Sequence, residues 1–309
     1  MKKLNVSHKT KYSFEAGPLS GLQQIKKAPH SDACQTVLNW SLLLTGAKEE
    51  FTFTDSFNNN VNLIRVEPGT KDLVIECEGH VEVMDKSGVL GYEASKIPLW
   101  VWTEHTNLTK PGSGIRKFAK GLLLKDDIGG FHKLMELLGV SLFFQKNITN
   151  VKTTAEEAFK KGSGVCQDFT NIFIACCRLH GLPARYVSGF LLLENKQIQE
   201  AMHAWAEVFI EGLGWVGFDT ANKISPDDRY IRVAIGRDYS DAAPIKGVTL
   251  GVQHECLSVS IMIAEQLGYE LLRWNIDKIW FSFYVRYTNK CRFRRSLTIQ
   301  KTLYLGPFR

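Results

Sequence analysis

Gly162-Ser163-Gly164-Val165-Cys166-Gln167-Asp168-Phe169 is a glycine-rich turn that runs into a helical pattern. Beyond it Phe169, Ile172, Phe173, Cys176 and Cys177 fall on one apolar stripe of helical period. Gly181 supplies the stop, and Pro183 prevents the helix from resuming. Cys166 therefore opens a helix. A thiol attacks only as thiolate, and the positive end of a helix dipole favours negative charge. Uncommitted backbone N–H groups at the same place can hold an oxyanion. The glycines let a substrate approach the backbone closely.

Three strands are expected after this helix. Residues 185–193 read as a buried strand, 203–210 as a second and 215–219 as a third, the last two joined by the tight turn Glu211-Gly212-Leu213-Gly214. Alternation places His203, Trp205 and Glu207 on one face, against a plain core face of Ala204, Ala206, Val208 and Ile210. An antiparallel hairpin puts Asp219 beside His203. A cysteine at a helix start, a histidine in a strand and an aspartate after a strand are each common structural residues. Together, in this order, they make a candidate nucleophile, base and orienting group.

Toward the N-terminus, Thr154-Ala155-Glu156-Glu157 is a capping-box sequence that predicts a short helix. Phe131, Leu134, Leu137 and Leu138 predict another. Thr109-Lys110-Pro111-Gly112-Ser113-Gly114 reads as a linker. Before it, residues 4–102 are β-rich, with strand-like runs at 37–44, 61–66 and 73–83 separated by turns such as Asn58-Asn59-Asn60 and Pro68-Gly69. A sandwich-like domain is expected there.

The composition, 44% hydrophobic and 23% charged over 309 residues, is that of an ordinary globular protein. Seven scattered cysteines without a C-x-x-C pair argue against a disulfide framework or a zinc site. No long apolar run and no secretory leader is visible, so a cytoplasmic protein without a membrane span is expected. The net charge of +6 is uneven. Residues 267–309 carry nine Lys or Arg and two Asp or Glu, a net of +7, which leaves −1 for the rest. A nearly neutral body gives no reason to expect a nucleic-acid partner. The basic, aromatic tail shows no clean period and is expected to be an appendage without function of its own.

Four segments carry a resemblance. Gly164-Val165-Cys166-Gln167-Asp168-Phe169, Gly181-Leu182-Pro183-Ala184-Arg185-Tyr186-Val187-Ser188-Gly189, His203-Ala204-Trp205-Ala206-Glu207-Val208 and Gly214-Trp215-Val216-Gly217-Phe218-Asp219 resemble the core of the transglutaminase-like superfamily. The nearest likeness is to its bacterial branch, described as transglutaminase-like candidate cysteine proteases. The resemblance covers roughly residues 109–266, and the β-rich region resembles the domain that precedes this core in that branch.

It implies an α+β fold with a papain-like, transglutaminase-like core, in which the nucleophile's helix packs on an antiparallel sheet, preceded by the β-rich domain. The expected boundaries are 1–108, 109–266 and 267–309. The family's catalytic cysteine, histidine and aspartate fall on Cys166, His203 and Asp219, and no cofactor or metal is expected. The implied chemistry is acyl transfer through a thioester, with peptide or protein hydrolysis favoured. Protein-glutamine transglutamination and a non-catalytic interaction module are the alternatives. Two departures stand out: Thr220-Ala221-Asn222 where the family usually continues with proline, and Asp55-Ser56-Phe57-Asn58-Asn59 where an Asp-x-Phe-Gly-Asn turn is common. Asp168, Arg185, Tyr186 and Trp205 carry no role assigned from sequence.

Overall fold

The structure is a computed structural model of the 309-residue chain, and it describes all residues except 94–96, 123, 125–126, 194–197, 253, 267–301 and 305–309. The N-terminal part holds β1 (Lys2–Phe14), β2 (Ser20–Ile25), β3 (Gln35–Thr45), β4 (Ala47–Thr54), β5 (Asn60–Val66), β6 (Asp72–Val83) and β7 (Val89–Gly91). Then come α1 (Ser113–Lys120), α2 (Ile128–Ser141), β8 (Phe143–Phe144), α3 (Ala155–Lys161), β9 (Ser163–Gly164) and α4 (Cys166–Leu179). The remainder is β10 (Ala184–Leu191), β11 (Ile198–Gln199), β12 (His203–Ile210), β13 (Gly214–Phe218), β14 (Tyr230–Gly236), α5 (Tyr239–Ala242), β15 (Ile245–Leu250), β16 (Glu255–Glu265) and β17 (Thr302–Tyr304). This is the expected α+β architecture.

Three five-stranded sheets organise it, in the orders β11-β16-β1-β6-β3, β17-β15-β2-β5-β4 and β14-β10-β12-β13-β7. The first two face each other as a sandwich. Between them lie Tyr12, Phe14, Ile25, Ile64, Val66, Leu73, Ile75, Cys77 and Ile245. The alternating burial along β1 and β6 is what a sheet with one core face produces.

Residues 245–265, which the sequence reading assigned with the core, supply strands to both of these sheets. β15 pairs with β2, and β16 pairs with β1 from Leu4↔Glu265 to Phe14↔Glu255. β1 thus gains partners on both edges, which removes an open hydrogen-bonding edge. The basic tail, apart from the backbone of β17, lies outside the described residues.

The third sheet carries the sequence motifs. One face packs on α4, whose Phe169, Ile172, Phe173, Cys176 and Cys177 meet Ala204, Ala206, Val208 and Phe218. The same cluster continues to Leu4, Val6, Val81 and Val83 of the N-terminal sheet, so apolar packing is continuous across the molecule. α2 buries Phe131, Leu134, Met135 and Leu138, with Met135 rather than Leu137 completing the stripe. α3 begins with the capping box at Thr154.

The opposite face of this sheet is also buried, under Trp102, Trp205, Trp215, Val187 and Tyr230. Alternation identified the two faces correctly, but the face of His203 is covered along β12 except at His203 and Phe209, toward its two ends. Arg185 and Glu207 are register partners on β10 and β12, paired at 2.6 Å, and Arg185 also meets Glu93 at 2.6 Å. Arg232 adds contacts to Glu207, Glu93 and Asp32. Arg185 lies over the Trp215 ring at 3.8 Å. Arg185 therefore joins strands beneath the site.

The unusual Asp55 turn has a local cause. Asn58 takes φ 66°, a left-handed conformation that asparagine tolerates better than most residues. The Asp55 carboxylate accepts from the N–H groups of Phe57 and Asn59. Asn59 then bonds both the N–H and the C=O of Ile235 on β14, fastening the sandwich to the third sheet.

Candidate active site

α4 starts at Cys166 because the preceding turn is held from within the helix. The Asp168 carboxylate accepts from the Val165 N–H at 2.8 Å and from the Thr149 hydroxyl at 2.7 Å. Burial raises the Asp168 pKa against the lowering effect of these bonds. Gly164 must lack a side chain here, since a Cβ would sit 2.6 Å from an Asp168 carboxylate oxygen. Asp168 is thus a support for the turn that presents the thiol.

β12 delivers His203 and the end of β13 delivers Asp219. The imidazole Nε2 lies 2.6 Å from Asp219 Oδ2. Because a carboxylate only accepts, Nε2 carries the proton, which leaves Nδ1 for the thiol. Cys166 and His203 line the same cavity, about 50 Å³ in volume. Burial opposes the charged imidazole, but the Asp219 charge and hydrogen bond, with a further contribution from Cys166, raise the His203 pKa to about 10. The structure therefore brings the three residues singled out from sequence to one place, on the elements expected.

Asp219 is fully buried, and its pKa is lowered from the ordinary carboxylate value. Burial alone would raise it; the His203 charge and the donated hydrogen bonds reverse that. Oδ2 accepts from His203, from Asn222 Nδ2 at 2.7 Å and from the Tyr230 hydroxyl at 2.7 Å. Oδ1 accepts from the backbone N–H groups of Ala221 and Asn222. The loop that lacks the usual proline thus folds back onto the aspartate, with a bridge between Asp219 and Ile224.

Asn222 and Tyr230 were not anticipated. The departure from proline at 220–222 was the only trace of the first, and nothing local marks the second. Trp205 is buried beneath His203, with ring centroids 6.4 Å apart, and meets Tyr230 at 5.4 Å. It also lies across Gly189, where a Cβ would approach its ring to 2.5 Å. Trp205 is therefore packing that fixes the plane of the histidine.

The other described thiols are in different settings. Burial pushes Cys34 and Cys77 up to about 11 and Cys176 to about 12, and holds Cys177 well above the ordinary thiol range. Cys256 is exposed. Among the described residues no three His, Cys, Asp or Glu side chains are grouped to hold a metal ion.

Comparison with known proteins identifies the family and the fold. Residues 125–220 match the transglutaminase-like superfamily core, and residues 4–82 match the bacterial transglutaminase-like N-terminal region. An uncharacterized protein of Mycobacterium leprae is 24% identical over 272 residues, covering 81% of this chain and 94% of its own. One from Mycobacterium tuberculosis is 27% identical over 270 residues, covering 79% and 86%. The crystal structure of a "Putative Cysteine Protease" from Cytophaga hutchinsonii superimposes with a TM-score of 0.70 at 18% identity, covering 88% of this chain and 93% of its own. It shares the fold. The chain belongs to the transglutaminase-like superfamily, with the N-terminal region characteristic of its bacterial members.

Proposed function

We propose that Cys166, His203 and Asp219 are the catalytic triad of a cysteine enzyme that hydrolyses amide bonds in peptides or proteins. The observation that carries this reading is the buried Asp219, bonded at 2.6 Å to a histidine that shares a cavity with the thiol at a helix start. His203 takes the thiol proton, and the sulfur attacks the substrate carbonyl. N–H groups of the first turn of α4, including that of Cys166, hold the oxyanion. The imidazolium gives its proton to the departing amine, leaving a thioester. Water, deprotonated by His203, then releases the acid and the free thiol. Asp219 holds the ring with Nδ1 toward the sulfur and stabilises its charged form.

The test is turnover of a peptide library with and without a primary amine, together with iodoacetamide labelling of Cys166 followed by peptide mapping. Hydrolysis products that persist in the presence of the amine support the reading. Conversion to the amide of the added amine would make the enzyme a transglutaminase instead. Cys166 labelling no faster than that of the half-buried Cys34 and the buried Cys176 would overturn catalysis altogether.

A further inference from the structure

The cavity that holds Cys166 and His203 is also lined by residues of the N-terminal sheets. His8 and Thr10 lie two apart on β1 and are buried, with His8 2% exposed. Lys27, two residues past β2, is likewise 2% exposed. Its ammonium reaches Thr10 Oγ1 at 2.6 Å and His8 Nε2 at 3.2 Å. Its neighbour Lys26 has a counter-ion, Asp55, at 2.6 Å. Among the described residues Lys27 has no carboxylate within ion-pair distance. A buried ammonium without a counter-ion is costly, and burial brings Lys27 down to about 8.

Two further cavity-lining groups are unsatisfied. Burial, then the Lys27 charge, hold His8 well below the ordinary histidine range, so its ring is neutral. With Nε2 accepting from the ammonium, the proton sits on Nδ1, which has no partner among the described residues. Tyr239 is buried, and its hydroxyl also lacks a partner there. Burial, and then nearby Cys166, raise its pKa, so the hydroxyl keeps its proton and can donate. One N–H of the Lys27 ammonium, the His8 Nδ1–H and the Tyr239 O–H are all donors. Glu200 also borders the cavity, but it is exposed and paired with Lys146 at 3.1 Å. Much of the remaining lining is apolar, including Met202, Ile245 and Val259.

A set of buried donors without acceptors is complementary to a group with several lone pairs and a negative charge. We infer that Lys27, His8, Thr10 and Tyr239 form a subsite for a carboxylate of the acyl-donor substrate, so that the amides cleaved carry a negative charge close to the scissile bond. This rests on the catalytic reading above and adds the substrate class to it. An acidic side chain and a chain-terminal carboxylate share this chemistry.

The experiment compares the rates at which iodoacetate and iodoacetamide alkylate Cys166, read by peptide mapping so that Cys256 is counted apart. In Lys27→Met the ratio of the anionic to the neutral reagent should fall about tenfold, the loss of roughly one charged hydrogen bond. Lys27→Arg should retain most of it. On the unmodified protein, N-acetylglutamate α-amide or N-acetylglutamine should slow iodoacetamide labelling of Cys166, and the neutral N-acetylglutamine α-amide should not. Protection by the first assigns the subsite to an acidic side chain, and protection by the second to a terminal carboxylate. A ratio unchanged within about twofold in folded Lys27→Met, or equal protection by the neutral amide, overturns the subsite while leaving the triad standing. Cys166 labelling no faster than that of Cys34 removes the triad, and the subsite with it.

Discussion

Replacing Asp219 with Asn removes one charge while keeping the shape of a fully buried side chain. In the unaltered protein His203 titrates at about 10, so at pH 8 about 99% of it is imidazolium. Returned to the ordinary histidine value of 6.5, it would be only about 3% protonated at that pH. The fraction able to protonate a leaving amine therefore falls about 30-fold from titration alone. Misorientation of the ring adds to this, up to the roughly 10⁴-fold seen when an orienting carboxylate is removed from serine-protease triads.

The same raised pKa makes stability depend on pH. The contribution of the His203 charge is fully present below about 6.5 and is lost as pH rises through about 10. Its ceiling is on the order of 5 kcal/mol, shared between Asp219 and Cys166. In Asp219→Asn that alkaline decline should flatten. The assays are amide turnover at pH 8, NMR titration of the His203 ring and thermal unfolding across the same pH range. A folded Asp219→Asn protein in which His203 still titrates near 10, or in which turnover falls less than about threefold, would refute the assignment of Asp219 as the group that charges the histidine.

Cys166→Ala should abolish turnover and Cys166→Ser should nearly do so, because a hydroxyl ionises far less readily than a thiol; assay of both with one amide substrate checks this. His203→Ala should be similarly severe, since the site loses both base and proton donor, measured with the same substrate. Tyr230→Phe and Asn222→Ala each remove one 2.7 Å donor to Asp219 that helps to lower its pKa, so each should raise the Asp219 titration, loosen the carboxylate and reduce turnover about tenfold, measured with the same substrate. Glu207→Gln leaves Arg185 and Arg232 short of a buried counter-charge and should cost about 3–5 kcal/mol in denaturant unfolding.

Local pattern was enough to read the helix at Cys166, the strands bearing His203 and Asp219, and the face on which His203 lies. Each depends on neighbours within a few residues. What escaped depends on contacts distant in sequence. Tyr230 reaches Asp219 from another strand, and Asn222 acts only because its loop bends back through the Asp219–Ile224 bridge. Arg185 carried no assignable role because its reason is Glu207 directly across the sheet, 22 residues away in sequence. Period-2 alternation also marks only where side chains point. It could not tell that the tryptophan face of β12 is itself covered. The return of 245–265 to the N-terminal sheets was hidden for the same reason: a strand's partner is not written in the strand.

That return sets a timetable for synthesis. One edge of β1 is paired with β6, within the first 83 residues, whereas the other waits for β16, whose last residue is Glu265. At about 5–20 residues per second, the ribosome needs roughly ten seconds to half a minute or more to make the intervening chain. Throughout that interval β1 presents a long bare edge, the kind that recruits foreign strands. His8 and Thr10 lie on this same strand, so the floor of the cavity is left half-framed until the chain closes over it. The nascent protein is therefore at its most aggregation-prone while the Cys166 thiol is already made but not yet enclosed, and holding β1 apart during that window is a task for a chaperone or for fast elongation.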